Sequence, residues 1–158
     1  VNRFQTVLEA FVLAIGVNTD AADRVYRHRV RPMTIDRRPL PDASVPTTWV
    51  NVRLGPVATP SDEGQTVYSR LDWIQDVYVD IHVNARTDDW LDAMMRIYAQ
   101  VHERLQDDYT LGVAGVIQLD ALGMDEPETE PADLIAAAVR TSWRVHLRTT
   151  VASLETAA

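Results

Sequence analysis

The side chains able to carry chemistry are few in kind and scattered in spacing. Four histidines occur, His28, His82, His102 and His146, and there is no cysteine. Without cysteine there are no disulfides, thiolate nucleophiles or sulfur-ligated metals, a composition suited to a reducing compartment. No His-Glu-x-x-His word is present. A metal centre needs three or four converging ligands. His82 and Asp80 share one strand parity, and His146 joins them only if strand register brings it opposite. The expectation is therefore solvated strand-face histidines and no metal. Asp76 and Asp80 would lie about 13 Å apart along a strand, at roughly 3.3 Å per residue. That separation exceeds what either glycosidase mechanism uses. Asp88, Asp89 and Asp92 suit a helix N-terminus, where the dipole favours acids. Ser44, Ser61, Ser69, Ser142 and Ser153 lack a nucleophile-elbow context. Gly112-Val113-Ala114-Gly115 has no following lysine and is no phosphate loop. No catalytic residue and no cofactor are expected, and a metal hydrolase is a distant alternative.

Two charge runs remain. Arg24-Val25-Tyr26-Arg27-His28-Arg29-Val30-Arg31 is basic, and Asp125-Glu126-Pro127-Glu128-Thr129-Glu130-Pro131-Ala132-Asp133 is acidic. The basic run fits a short strand anchored by Val25 and Val30. It could contact phosphate, but a solvated edge or a face docking an acidic partner subunit suits it better. The acidic run, with two prolines, reads as an exposed loop. The overall charge is −8, so phosphate backbones are repelled on average. No sequence-specific nucleic-acid partner is expected.

The positioning elements are clearer than the chemistry. Residues 73–84 alternate, with Val77, Val79, Ile81 and Val83 on one face and Asp76, Tyr78, Asp80, His82 and Asn84 on the other. A second long alternation runs from Val139 to Val151. Val139, Trp143, Val145, Leu147 and Val151 share one parity with Thr141 and Thr149, whereas Arg140, Arg144, His146 and Arg148 share the other. If the two strands are neighbours, their polar faces pair acid with base. Their apolar faces would accept two helices.

The first helix covers Asn2 to Ile15, with Phe4, Val7, Leu8, Phe11, Val12 and Ile15 as its apolar stripe and Gly16 ending it. The second runs from Asp88 to about Gln106, capped within Thr87-Asp88-Asp89. Its stripe is Leu91, Met94, Met95, Tyr98, Val101 and Leu105, and Asp107-Asp108 falls outside it. A strand from Trp49 to Leu54, stopped by Gly55-Pro56, forms an antiparallel hairpin with the central strand through a polar loop at Ala58 to Gln65. Val116 to Asp120 makes a further strand. Leu134 to Ala138 is either a helical turn or a strand start, and Ala152 to Ala158 is a frayed, flexible tail. Trp49, Trp73, Trp90 and Trp143 are expected in core or interface.

The fold expected is α+β. A single domain over residues 1–151 has a mainly antiparallel or mixed sheet packed against helices, in the order helix-strand-strand-strand-helix-strand-strand. The chain has 158 residues, 46% of them hydrophobic, enough for one real core. No run of eighteen apolar residues exists, so no helical membrane span is expected. The first residues lack a basic segment leading into a long apolar one, and no signal peptide is expected.

The order of elements and several local words resemble the tail terminator proteins of long-tailed bacteriophages, also described as minor tail or tail-completion proteins. The words are the apolar first helix and Arg24-Val25-Tyr26-x-x-Arg29, then Leu40-Pro41 before the hairpin. Val79-Asp80-Ile81-His82-Val83 then leads to the helix through Met94, Ile97 and Val101, and the chain closes on Trp143-Arg144-Val145-His146-Leu147-Arg148. The likeness spans roughly Val1 to Val151. The resemblance implies a structural protein of the virion, assembled in the host bacterial cytoplasm. It would form a ring, usually of six copies, that caps the tail tube, ends its polymerisation and offers a surface to head-tail connector proteins. No membrane partner is implied. On charge, Arg24, Tyr26, Arg27 and Arg29 of one copy are candidates to meet Asp125, Glu126 and Glu128 of the next, in a head-to-tail contact. The polar loop residues Ser61, Asp62, Glu63 and Gln65 are candidates to touch tube or connector. A head-tail connector or other phage-like assembly protein, and a small-ligand-binding regulatory α/β domain, are the alternative readings.

Overall fold

The computed structural model describes residues 2–22, 24–29, 46–59, 70–86, 89–131, 135–150 and 153–157. The first helix, α1 (Arg3–Ile15), begins at a capping box. The Asn2 side chain accepts from the Gln5 backbone N–H, and Gln5 accepts in return from the Asn2 N–H. Two of the helix's otherwise orphaned donors are thereby satisfied. Gly16 closes the helix. Strand β1 (Val25–Arg27) follows, then β2 (Thr47–Ala58), β3 (Arg70–Ala85), α2 (Trp90–Asp107), β4 (Val116–Met124), β5 (Glu128–Glu130), β6 (Ile135–Thr150) and β7 (Ser153–Ala157).

The sheet order is β1-β2-β3-β6-β4, with β5 and β7 also paired to β6. Among the described residues β1 pairs with β2 in parallel and the other pairs are antiparallel. The expected α+β class, element order and antiparallel hairpin are all present. The two 16-residue strands β3 and β6 lie side by side at the centre, in register from Arg70↔Thr150 to Ala85↔Ile135. The outer flank of β6 is tiled in succession by β5, β4 and β7.

Period-two alternation decides which face is covered. Val77, Val79, Ile81 and Val83 of β3, with Val139, Trp143, Val145 and Leu147 of β6, join one core cluster. The same cluster takes in Val7, Leu8, Phe11 and Ile15 of α1 and Met94, Ile97, Val101 and Leu105 of α2. Both helices therefore pack on one side of the sheet. The buried stripe of α2 is narrower than its apolar content. Leu91 and Met95, expected to face inward, are exposed, while Ile97 is buried. Spacings of 3, 4 and 4 from Met94 to Leu105 form a single row, and Leu91 and Met95 flank it.

Several boundaries differ from the sequence expectation. Helix α2 starts at Trp90, and Asp89 makes no side-chain cap hydrogen bond; Thr87 and Asp88 lie outside the described residues. Asp107 is the last helical residue and only Asp108 is beyond it. Gly55-Pro56 does not stop β2. The strand continues to Ala58 across a register shift between Leu54 and Val57. A proline cannot donate to the ladder, and a bulge absorbs that missing donor. Leu134 to Ala138 resolves as strand from Ile135 onward. The acidic run contains a strand, β5, rather than loop alone, though its residues are exposed as expected. The supposed frayed tail contains β7, where Ser153 and Ala157 pair with Thr150 and Thr149. Val30 lies outside the described residues.

Candidate assembly surface

The sheet face opposite the helices carries a lattice of ion pairs, built by register. Asp72, Asp76 and Asp80 on β3 stand directly across from Arg148, Arg144 and Arg140 on β6. Arg148 Nε donates to Asp72 Oδ1 at 2.6 Å and Nη2 to Oδ2 at 3.0 Å. Arg144 holds Asp76 in the same two-pronged way, at 2.8 and 3.1 Å. Such forks match guanidinium to carboxylate geometry. The hydrogen bonds and charge of Asp76, with further attraction from Asp120, raise the Arg144 pKa above its ordinary value. Asp72 does the same for Arg148. Asp80 is shared, accepting from Arg53 Nε at 2.5 Å and Arg140 Nε at 3.3 Å. Arg53 and Arg140 also lie over the Tyr78 ring, at 5.9 and 4.8 Å. In register the row Asp76-Arg144 extends to Asp120 of β4, whose Oδ2 meets His146 Nε2 at 3.1 Å while its Oδ1 accepts from Gln118 Nε2 at 2.7 Å. Sequence parity anticipated the pairing with Asp76 and Asp80. It missed Asp72, Arg53 and the Asp120–His146 contact. The available signal was that the chain contains no lysine, so every permanent side-chain cation is a planar fork.

The lattice does not gather the histidines. His82 stands opposite Ala138 and His146 opposite Ile74, eight residues apart along the strand pair. His82 instead stacks on Trp49, with centroids 5.2 Å apart and planes 6° from parallel. His102 sits among Tyr98 and Trp143. Among the described residues no group of three or more His, Asp or Glu is placed to hold a metal.

The interface candidates fall at the two ends of the sheet. Tyr26 and Arg27 belong to β1, with Arg24 and Arg29 just beside it, and β1 is one terminal strand. Asp125, Glu126 and Glu128 lie on or beside β5, on the flank of β6 away from β3. The structure thus does not bring the two groups together within one chain. The basic group is partly engaged internally. Arg24 donates to the Thr48 carbonyl at 2.8 Å and the Asp20 carbonyl at 2.9 Å. Arg29 lies 4.3 Å over the Tyr26 ring, and its backbone exchanges two hydrogen bonds with the Asn51 side chain. Arg27 is exposed and pairs with Glu9 of α1 at 2.7 Å. Asp125, Glu126 and Glu128 are all exposed. Ser61, Asp62, Glu63 and Gln65 lie outside the described residues.

Three concavities adjoin these surfaces. One of about 580 Å³ lies between the α1–β1 turn and the start of α2, lined by Asp20, Arg24, Thr48, Asp92 and Arg96. Another of about 350 Å³ sits on the open face beside Asp80, His82, Arg140 and the three acidic candidates. A third of about 400 Å³ is at the β1 end, among Phe4, Leu8, Arg27, His28 and Leu54. No family model and no curated protein matches this chain.

Proposed function

We propose that this chain is a structural protein of a phage-type tail. Its copies would close into a ring that caps the tail tube, ends tube growth and presents a surface for head-tail joining. The reading grows from the resemblance in element order and local words. The observation that carries it is the arrangement of charge across the sheet. Arg27 marks one terminal strand, and Asp125, Glu126 and Glu128 mark the opposite flank. A subunit with complementary ends on opposite sides associates head to tail, and a head-to-tail contact makes a ring when its rotation closes. A self-contact between like ends would instead oppose like charges. On the open face Asp72, Asp76 and Asp80 pair with Arg148, Arg144, Arg140 and Arg53, and Asp120, in contact with His146, adds its attraction to Arg144. That balance leaves the charge of the ends to steer association. Such a role calls for no catalytic group.

Electron microscopy of the purified protein, alone and mixed with tail tubes, tests the proposal. The expected result is six-fold rings that stack on one tube end and halt further growth. A protein that stays monomeric at tens of micromolar concentration, or rings indifferent to tubes, would overturn it. Reversing Arg27 and Arg29 to glutamate is expected to weaken assembly at low ionic strength, where charge contacts are least screened.

A further inference from the structure

Strand β4 carries an unusual edge. Its register against β6 slips twice, between Val116 and Gln118 and between Ala121 and Gly123. At each slip β4 advances two residues while β6 advances one, so Ile117 and Leu122 are the extra, bulged residues. Both are exposed large apolar side chains, at 45% and 47%, and Met124 beside them is 37% exposed. Bulges blunt a sheet edge against the addition of another strand. An edge with two bulges is therefore a poor template for backbone pairing, yet its bulged positions hold apolar side chains in water. That combination fits contact through side chains. The flank continues directly into Asp125, Glu126 and Glu128, all exposed.

The other end of the sheet has the complementary features. The cleft of about 400 Å³ there is lined by Phe4, Leu8 and Leu54 together with the polar Asn2, Gln5, Arg27 and His28. Leu54 is 40% exposed. Its volume accommodates one aliphatic side chain, and the exposed Arg27 that lines it pairs with exposed Glu9 at 2.7 Å, a solvent-facing pair that an incoming carboxylate can share.

We infer that Leu122 of one copy seats in the Phe4–Leu8–Leu54 cleft of a second copy, with Ile117, five residues back along β4, covering the sheet end beside that cleft and Asp125, Glu126 and Glu128 of the first facing exposed Arg27 of the second. This inference rests on the self-assembly reading above and assigns its contact. The occupant is another copy of this chain because the exposed apolar edge with its acidic flank lies at one end of the sheet and the partly apolar cleft with exposed Arg27 lies at the other. Burial of exposed aliphatic groups supplies affinity, and the rim charges supply orientation.

Two variants with opposite defects test it. Ile117→Asp with Leu122→Asp removes the projecting side and keeps the cleft. Leu54→Glu with Arg27→Glu spoils the cleft and keeps the projecting side. All four positions are exposed, and circular dichroism melts check that each variant stays folded. Ile117→Ser with Leu122→Ser, and Leu54→Ser alone, are the milder versions if a melt is disturbed. Mass is read by light scattering after gel filtration. The expected result is that each variant alone is monomeric, with self-affinity weakened about tenfold or more, as loss of a central anchor does. Mixed in equal amounts they should form a dimer and nothing larger, because one intact projecting side and one intact cleft remain. Variants that assemble like the parent would overturn this contact while leaving the ring reading in place. A mixture that stays monomeric would also overturn it. A parent protein that never self-associates would overturn the ring reading and this contact together.

Discussion

Asp76 on β3 and Arg144 on β6 face each other in direct cross-strand register and are joined by two hydrogen bonds, at 2.8 and 3.1 Å. Asp76 is largely covered and Arg144 half exposed. The pair is the middle rung of a ladder whose other rungs are Asp72–Arg148 and Asp80–Arg140. An exposed ion pair contributes about 0.2–1 kcal/mol, and two-pronged geometry moves it to the upper end of that range. A double-mutant cycle with Asp76→Ala and Arg144→Ala should therefore give a coupling of about 1 kcal/mol in urea unfolding. The coupling should shrink in about 1 M salt. Because the Arg144 pKa is raised, its contribution is complete below the ordinary arginine value and is lost only as pH rises through the raised one. The coupling should thus hold across the neutral and mildly alkaline range. Zero coupling at low salt would show that the rung is geometry without stabilisation.

Gly55 opposes Asp76 from the other side. A Cβ built there would lie 3.0 Å from the Asp76 carbonyl oxygen and 3.1 Å from both the Asp76 Cβ and the Tyr78 ring. The nearest of these is backbone within the central strand, which cannot swing aside. Gly55→Ala should destabilise by about 1–3 kcal/mol, the ordinary cost of overpacking. A denaturation midpoint unchanged from the parent would mean that the bulge at Leu54/Val57 yields freely.

How much of this was legible beforehand follows from how local each feature is. The faces of β3 and β6 were readable because each strand declares its buried side every second residue, from Val77 to Val83 and from Val139 to Leu147. Once those faces were known, pairing Asp76 and Asp80 with the arginines of β6 needed only adjacency. The short strands were not readable. The sequences of Glu128–Glu130 and Ser153–Ala157 carry no apolar alternation long enough to mark a strand, and both pair with backbone groups that β6 presents along its flank. The passage of β2 through Gly55-Pro56 was hidden for the same reason, since long-range pairing with β3 overrides a local stop signal. The opposed charge runs were visible as composition. Their placement at opposite ends of the sheet required the strand order, which no local pattern encodes. The apolar edge at Ile117 and Leu122 depended on two bulges and left no trace in the periodicity.

Gln75 is fully buried between β3 and α1. Its Nε2 donates to the Phe4 carbonyl at 3.0 Å, while its Oε1 is buried with no hydrogen-bond partner among the described residues. A made hydrogen bond contributes about 0.5–1.5 kcal/mol net, and an unmet buried polar atom costs about 1–3 kcal/mol. These terms nearly offset each other. Gln75→Met conserves most of the volume and removes both, so its unfolding free energy should fall within about 1 kcal/mol of the parent or slightly above it. Gln75→Ala leaves a cavity and should lose about 2–4 kcal/mol. If Gln75→Met proved as damaging as Gln75→Ala, the Phe4 hydrogen bond would have to be worth far more than its geometry warrants.

The turn after α2 provides the clearest pH signature. Asp108 Oδ1 accepts from the Thr110 backbone N–H at 3.0 Å and from the Thr110 hydroxyl at 2.6 Å, and Oδ2 accepts from the Gly112 N–H at 3.1 Å. These bonds brace a turn in which Leu111 and Gly112 both have positive φ, 54° and 65°, and which leads into the bulged strand β4. Led by the bonds from Thr110, they hold the Asp108 pKa below its ordinary 3.8. The sign follows from linkage: a carboxylate with a depressed folded-state pKa contributes stability that is complete above its unfolded value and fades as pH falls through the folded one. Asp108→Ala should therefore melt at a lower temperature than the parent near neutrality. The gap should stay constant while pH remains well above 3.8 and close on further acidification. Asp108→Asn keeps one acceptor oxygen and should fall between the two near neutrality. Thermal melts of the three proteins across the acid range check this, and a gap between parent and Asp108→Ala that widens toward low pH would contradict it.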